Sequence, residues 1–273
     1  KQLMTGLKIL DCTLRDGGYK NNWQFKNNEI ISTISMLQKS GIEIIECGYL
    51  SELNGLPENS SIFDALNTPN SLFKSSGISQ KAEFVLMINY GEYNPDNIPK
   101  HSKDDFISGI RVAFHKKDKK HAIEFSEQIQ KKGFNLYLQP MVISEYNQTE
   151  LDSLLYEIKE LGTKAVYIVD SLGILEEEQI LYVGDLFDKK LPQSVNLGLH
   201  LHGNAMPVFQ KAKSFLNRMK TSRNLILDAS VRGIGRGKGN LRTEDICNYL
   251  NKTYNKNYDT DKPLSSLCCA GCV

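Results

Sequence analysis

The clearest candidates for chemistry are two histidines, His200 and His202, in a segment that reads Gly-Leu-His-Leu-His-Gly-Asn at residues 198–204. If the segment is a strand, side chains two residues apart project from the same face, so both imidazoles enter one space. Neutral imidazoles bind divalent metals, and a carboxylate from another strand would complete a facial set of ligands. We interpret the pair as a metal clamp. The alternative is two polar side chains bonded to backbone at a strand end.

Two other polar segments could act together with this pair. Arg15 and Asp16 follow an apolar run and precede two glycines, where they could serve a site or only form a salt bridge in a turn. Residues 232–240 read Arg-Gly-Ile-Gly-Arg-Gly-Lys-Gly-Asn, a glycine-rich loop whose backbone amides could hold an anion. It is not a Walker phosphate loop, because its lysine is followed by Gly239 and not by Ser or Thr.

Short runs rich in Ile, Val and Leu recur along the chain and predict strands. Continuous apolar runs are typical of parallel strands that are covered on both faces. There are eight such runs, at residues 7–13, 42–48, 83–88, 107–114, 134–139, 165–170, 195–202 and 224–229. Segments between them predict helices at residues 27–39, 58–66, 118–132, 149–161, 175–188, 206–219 and 242–253. A helix is least expected between the third and fourth runs, where Pro95 and Pro99 lie in a polar segment.

Eight strands alternating with helices over about 250 residues predict an α/β fold, the (β/α)8 TIM barrel. Functional side chains of such barrels lie at the carboxyl ends of the strands, and the first, seventh and eighth runs end in the three polar segments. A doubly wound open sheet is the alternative, which the lack of a glycine fingerprint after the first run disfavours. We expect the barrel to occupy residues 1–262, followed by a cysteine-rich tail at residues 263–273.

Three motifs, in this order, resemble the signatures of the HMG-CoA-lyase-like barrels, or DRE-TIM metallolyases. They are Thr-Leu-Arg-Asp-Gly at residues 13–17, the His200-x-His202 pair, and Gly-Ile-Gly-Arg-Gly-x-Gly-Asn at residues 233–240. The resemblance covers about residues 7–255 and is nearest in motif to the 4-hydroxy-2-oxovalerate aldolases. It implies that Asp16, His200 and His202 bind a divalent cation, Mn²⁺ or Mg²⁺, with Asn240 as a further ligand.

The resemblance also implies catalytic roles. Arg15 matches the arginine that stabilises an enolate oxygen, and Glu46 matches an acidic residue at the end of the second strand. Hydroxy-oxovalerate aldolases commonly have a histidine near the end of the first motif, where this chain has Gly18 and Tyr19. Tyrosine has an ordinary pKa of about 10 and is a poor base near neutrality. Tyr19 is therefore either a proton relay or an aromatic lid over the pocket.

Candidates for contact with the substrate, besides Arg15, are Arg111, Asp170, Ser171 and Ser230. Asp170 and Ser171 resemble the turn after the sixth strand that lines the family's pocket, and Ser230 ends the eighth run. Arg111 lies within the fourth run and could equally form an ion pair inside the barrel.

The function implied is that of a divalent-metal-dependent carbon–carbon lyase, an aldolase. It would cleave or form a 4-hydroxy-2-oxo acid through a metal-bound pyruvate-type enolate. One alternative is a Claisen-type synthase that joins an acyl-CoA to a 2-oxo acid, and another is a non-catalytic barrel that depends on a partner. The expected partners are a small 2-oxo acid and an aldehyde dehydrogenase subunit or a second copy of the chain.

Composition excludes other classes of protein. The 33 Lys and Arg against 32 Asp and Glu give a formal charge of +1, so we expect no nucleic-acid partner. Nothing approaches the roughly 20 apolar residues that span a bilayer, and we expect a cytoplasmic, reducing setting without membrane contact. Six cysteines are too few and too unevenly spaced for a disulfide scaffold. Cys268, Cys269 and Cys272 lack the paired spacing and fourth ligand of a zinc site.

Overall fold

Eight parallel strands run through the computed structural model, which describes residues 6–219 and 223–260. They are β1 (Leu7–Asp11), β2 (Ile44–Leu50), β3 (Glu83–Asn89), β4 (Ile107–Phe114), β5 (Asn135–Pro140), β6 (Ala165–Asp170), β7 (Asn196–Leu201) and β8 (Leu225–Ala229). All eight coincide with apolar runs predicted from the sequence. The tail cysteines Cys268, Cys269 and Cys272 lie outside the described residues.

The sheet closes on itself. β1 pairs with β2, where Leu10 lies opposite Ile44, and with β8, where Asp11 lies opposite Ala229. Each of the other strands pairs with its neighbours in chain order. The predicted (β/α)8 barrel is thereby confirmed and the open sheet is excluded. Closure brings the carboxyl ends of β1, β7 and β8 side by side, because β8 lies between the other two.

Seven helices of ten residues or more surround the barrel in the described part of the chain. They are α1 (Asn27–Lys39), α2 (Asn67–Ser76), α3 (Lys119–Lys131), α4 (Gln148–Lys159), α5 (Glu177–Lys190), α6 (Ala205–Met219) and α7 (Thr243–Tyr254). None of the described helices has the length and apolar character needed to cross a membrane. Between β3 and β4 the chain forms only a short 3₁₀ turn, Pro95–Asn97, as the prolines predict.

The helix predicted at residues 58–66 is wrong. That segment contains a two-residue strand, Ile62–Phe63, which pairs with the end of β2, and the helix follows it as α2. Pro69 lies in the first turn of α2, where a missing amide proton costs no hydrogen bond. Gly77 ends the helix with a φ of 72°, a left-handed conformation that glycine adopts without strain. The proline and glycine, and not the apolar spacing, set the position of this helix.

Asp11 is a buried carboxyl at the end of β1 that ties the barrel to α7. It accepts hydrogen bonds from the amide of Thr13 at 2.9 Å and from the hydroxyl of Thr243 at 2.7 Å. Burial raises the pKa of Asp11 to about 6, even though both hydrogen bonds favour the ionised form.

We expect the substitution Asp11→Asn to stabilise the protein near pH 7.5. A carboxyl with a higher pKa in the folded state binds protons more tightly there, so the free energy of unfolding falls as pH rises from about 4 to about 6. Asparagine keeps an oxygen acceptor but cannot ionise, so the gain near pH 7.5 is up to roughly 3 kcal/mol. Urea unfolding near pH 7.5 and pH 4.5 checks this, with a smaller gain at the lower pH. A variant less stable than the wild type near pH 7.5 would contradict it.

Candidate active site

Three side chains converge at the carboxyl end of the barrel. Asp16 ends a one-turn helix, Thr13–Asp16, directly after β1, while His200 and His202 project from the end of β7. The Nε2 atoms of the two imidazoles are 3.1 Å apart. One ligand atom from each of the three residues lies within 4.8 Å of those of the other two. One carboxylate and two imidazoles at this spacing can hold a single divalent cation.

Asp228 orients the first imidazole. Its carboxylate Oδ2 lies 2.9 Å from Nδ1 of His200, which leaves Nε2 of that ring to face His202. A carboxylate behind a metal-binding histidine fixes its tautomer and ring orientation. We did not select Asp228 from the sequence. The available signal was a lone carboxylate in the otherwise apolar strand Leu-Ile-Leu-Asp-Ala.

Asp16 and His202 have the ionisation states that a cation requires. Burial alone would raise the pKa of Asp16, but Arg15 and the two imidazoles outweigh it and lower that pKa to about 2. Burial lowers the pKa of His202 to about 4, and the neighbouring His200 adds to the effect. Near neutral pH the site therefore offers a carboxylate and a neutral His202 ring, the forms that bind a metal.

Asn240 extends this set of ligands. The glycine-rich loop folds back so that Asn240 forms a backbone bridge to His202, and its amide nitrogen donates to Asp16 and to the carbonyl of Ile234. Its amide oxygen is buried and has no hydrogen-bond partner among the described residues. A buried acceptor of this kind next to a carboxylate and two imidazoles fits a Mg²⁺ or Mn²⁺ ion, which prefers oxygen ligands.

Gly235 lies against the same pair of side chains. A Cβ at this position would lie 2.2 Å from Nδ2 of Asn240 and 2.6 Å from Oδ2 of Asp16. We expect Gly235→Ala to displace one of them and to weaken Mn²⁺ binding by about 10- to 100-fold, measured by isothermal titration. Gly184→Ala, within α5, is the matched control and should bind Mn²⁺ as the wild type does. If Gly235→Ala bound Mn²⁺ as tightly as the wild type does, the close packing of Gly235 against Asn240 and Asp16 would be contradicted.

A chain of buried charges runs beneath the three ligands. Arg15 donates to Glu46 at 2.8 Å and to Asp16 at 2.6 Å. The other oxygen of Glu46 lies 2.8 Å from Arg111, and Arg111 also pairs with Asp228. Glu46 and Arg111 are both fully buried. Positive and negative groups therefore alternate from Arg15 to the carboxylate that orients His200.

Arg111 and Glu46 do not line the cavity in which a substrate could lie. Arg111 forms the barrel-interior ion pair that the sequence left open as an alternative, and its guanidinium also lies 4.6 Å from the ring centre of Tyr167. Arg15 does line the cavity, and one of its terminal nitrogens, Nη2, has no partner within the described residues.

The cavity above the ligands is small, with a volume of about 50 Å³. About 10–15 Å³ of such space holds one water molecule, so the cavity as it stands has room for a few waters or a very small ligand. Its wall combines the cluster of Arg15, Asp16 and the two histidines with side chains from most of the other strand ends. These are Tyr19, Tyr49, Met87, Asn89, Ala113, Gln139, Met141, Val169, Ser171 and Arg236.

The remaining candidates divide between this cavity and the surrounding turns. Tyr19 is 42% exposed at the cavity mouth, and Ser171 lines the wall while accepting a hydrogen bond from a backbone amide. Asp170 instead accepts from the amides of its own turn, and the Ser230 hydroxyl donates to the carbonyl of Ile234 at 2.6 Å. Neither of these two lines the cavity, so the structure places them in turns that support it.

Comparison with known proteins links this site to lyases. No protein-family model matches the chain. Oxaloacetate decarboxylase of Mycobacterium tuberculosis is 24% identical over 239 residues, which cover 86% of this chain and 67% of that protein. The 4-hydroxy-2-oxovalerate aldolase of a Marinomonas species is 26% identical over 247 residues, covering 89% and 70% of the two chains.

Solved structures share the barrel. The N-terminal domain of a candidate aldolase from Bacteroides vulgatus superposes with a TM-score of 0.78 at 25% identity, over 94% of this chain and 83% of that one. The HMG-CoA lyase of Brucella melitensis has the same fold, with a TM-score of 0.71 at 16% identity over 94% and 95% of the two chains. With three ordered motifs at one barrel mouth, the chain is similar in sequence and fold to the lyases and aldolases of the DRE-TIM superfamily.

Proposed function

We propose that this protein is a divalent-metal-dependent aldolase that cleaves or forms a 4-hydroxy-2-oxo acid through a pyruvate-type enolate. The observation that supports it is the convergence of the three ligands with the unpaired Nη2 of Arg15 on one small cavity. Two of the relatives named above are a 4-hydroxy-2-oxovalerate aldolase and an oxaloacetate decarboxylase, which supports a 2-oxo acid as the substrate.

The chemistry requires stabilisation of negative charge on the oxygen at C2. Mg²⁺ or Mn²⁺ held by Asp16, His200, His202 and Asn240 would supply a Lewis acid for that oxygen. Arg15 lines the cavity and adds a guanidinium that stays protonated and has one donor, Nη2, without a partner among the described residues. Glu46 acts on Arg15 and not on the substrate, since it is buried and fixes the guanidinium from below. Preorganised charge of this kind makes the largest contribution to the rate enhancement of many enzymes.

Tyr19 is the residue we assign to proton relay at the C4 hydroxyl. It lies at the mouth of the cavity, and its ring packs edge-on against Trp23 at 4.7 Å. Its neighbour Tyr49 is buried, and burial raises the pKa of that hydroxyl well above the ordinary value. Tyr49 is thus a proton donor at most, while Tyr19 is open to solvent and can exchange protons with it.

The rest of the wall keeps water from the reacting carbons. Met87, Ala113, Met141 and Val169 contribute apolar side chains to the cavity wall. An enolate that is protected from water is not protonated at once and persists until an aldehyde binds. Asn89, Gln139 and Ser171 add uncharged polar groups to the wall, and we assign Ser171 to contact with the substrate.

Exchange of the pyruvate methyl protons tests the proposal without knowledge of the full substrate. The protein in D₂O with Mn²⁺ or Mg²⁺ should exchange these protons for deuterium, as followed by NMR, and chelation by EDTA should stop it. Oxalate, which resembles the enolate, should inhibit. No exchange with either metal would overturn the proposal. Release of free thiol from acyl-CoA with a 2-oxo acid would instead support a Claisen-type synthase.

A further inference from the structure

The glycine-rich loop places a second guanidinium, that of Arg236, at the cavity wall. Its carbon Cζ lies 5.8 Å from the ring centre of Tyr19, and Lys20 ties the two loops together by donating to the carbonyl of Gly237 at 3.0 Å. No acidic side chain within residues 6–219 and 223–260 forms an ion pair with Arg236. Arg236 is therefore a cation that faces the ligand space without an anionic partner in the protein.

The loop as a whole is strongly basic. Residues 230–242 contain Arg232, Arg236, Lys238 and Arg242 and not one Asp or Glu. Clefts lined by one sign of charge concentrate ligands of the opposite sign. Arg242 pairs with Asp245, and Arg232 lies against Glu244. Of the four basic residues Arg236 is the one that lines the cavity, where its charge favours an anion.

The net charge of the site, with a divalent cation bound, can be balanced by two anionic groups of a ligand. Three carboxylates, Asp16, Glu46 and Asp228, face two guanidiniums, Arg15 and Arg111, which leaves one negative charge if the imidazoles are neutral. A divalent cation turns this into one positive charge, which the carboxylate of a simple 2-oxo acid neutralises. Arg236 adds a second positive charge, which such a substrate leaves without a partner.

We infer that Arg236 binds a second carboxylate of the substrate, so that the protein acts on 4-hydroxy-2-oxo dicarboxylic acids. This rests on the proposed aldolase function. In the cleavage, the C4 hydroxyl loses its proton and forms the new carbonyl while the C3–C4 bond breaks. The bonding electrons pass to the C2 oxygen as the enolate, which is then protonated at C3 to give pyruvate. The other product is an aldehyde acid that retains the carboxylate held by Arg236.

Binding of two unreactive probes tests the inference directly. Both 2-oxoglutarate and 2-oxopentanoate have five carbons, but only the first has a second carboxylate, and neither has a C4 hydroxyl to cleave. Trp23, the single tryptophan of the chain, contacts Tyr19, so its fluorescence reports ligand binding at this mouth. The Mg²⁺-loaded wild type should bind 2-oxoglutarate about 10- to 100-fold more tightly, the range for a charged hydrogen bond.

Three variants assign that preference. Arg236→Gln should reduce the ratio of the two affinities to about unity. Arg236→Lys should retain part of the preference, because lysine keeps the charge without the planar guanidinium that binds a carboxylate through two hydrogen bonds. Lys238→Gln, two residues along the loop and outside the cavity wall, is the control and should keep the wild-type preference. A wild type without preference, or a preference that survives in Arg236→Gln, would overturn the inference. So would coenzyme A binding that depends on Arg236, since its phosphates would then be the natural anion.

Activity separates this inference from the function on which it rests. The wild type should cleave 4-hydroxy-2-oxoglutarate with a higher kcat/KM than 4-hydroxy-2-oxopentanoate, and Arg236→Gln should lose that difference mainly through KM. If the protein exchanges pyruvate protons but cleaves the two acids with equal kcat/KM, only the role of Arg236 is refuted and the aldolase function stands. Absence of exchange, combined with Arg236-dependent binding of 2-oxoglutarate, refutes the aldolase and leaves the dicarboxylate site.

Discussion

Replacement of His200 by alanine is expected to abolish both metal binding and enolate formation. The variant removes one of three converging ligands and leaves the Asp228 carboxylate without its imidazole partner. We expect Mn²⁺ affinity to fall by at least about 100-fold, because an inner ligand should cost no less than its outer partners do. Metal-dependent exchange of pyruvate methyl protons should become undetectable by NMR.

His115→Ala is the matched control for this experiment. His115 is exposed at the amino end of the segment that leads to α3 and belongs to no metal cluster in the described residues. It should bind Mn²⁺ and exchange pyruvate protons as the wild type does. If His200→Ala exchanged protons at the wild-type, metal-dependent rate, the metal site would be assigned to the wrong residues.

The second large effect is expected on stability, from Arg111→Met. Arg111 is fully buried and pairs with both Glu46 and Asp228, so the variant takes a cationic partner from two buried carboxylates. Glu46 keeps Arg15, whereas Asp228 keeps only the imidazole of His200. Removal of one member of a buried ion pair costs about 3–5 kcal/mol. The free energy of unfolding should fall by about this amount in urea titrations, and the midpoint of thermal unfolding should fall with it.

A surface arginine provides the comparison. Arg218 pairs with Asp185 at 2.8 Å, but both side chains are about half exposed, at 59% and 45%. Such pairs are worth roughly 0.2–1 kcal/mol, so Arg218→Ala should unfold nearly as the wild type does. Arg111→Lys keeps the charge but not the planar guanidinium that can pair with two carboxylates. Its free energy of unfolding should lie between those of Arg111→Met and Arg218→Ala. An Arg111→Met protein as stable as Arg218→Ala would show that the buried chain adds little to the fold.

The charge chain also links stability to the site. Asp228 holds His200 on one side and Arg111 on the other, and Glu46 holds Arg15 and Arg111 in the same way. Loss of Arg111 should therefore reduce metal affinity as well as stability, although Arg111 touches neither cation nor substrate. The role of Arg111 is to position the residues that contact the cation and the substrate.

Much of the metal centre was predictable from the sequence, because it depends on local spacing. The His200-x-His202 pair needs only the two-residue period of a strand to point both rings to one side. Asp16 attracted notice by its position after an apolar run and before two glycines, and the resemblance to DRE-TIM barrels implied its role as a ligand. The eight apolar runs likewise predicted every barrel strand, since strands buried on both faces have few polar residues.

Contacts between distant strands were not predictable in the same way. Arg111 and Asp228 are each a single charge within an apolar strand, and nothing local shows that the two meet at the centre of the barrel. Helix α2 was misplaced for a related reason, since its position follows Pro69 and Gly77 while the preceding segment adds a short strand to β2. Partners of this kind depend on which residues the closed sheet brings together.

The sequence by itself therefore determined the barrel, the three motifs and the identity of the metal ligands we propose. Only the tertiary structure decided how those ligands are oriented and balanced in charge. Closure of the sheet places Asp228 behind His200, turns Asn240 toward Asp16, and leaves Arg236 at the mouth without an acidic partner in the described chain. The reason is physical: local spacing fixes the direction of a side chain, but the charge it meets is set by strands far away in sequence.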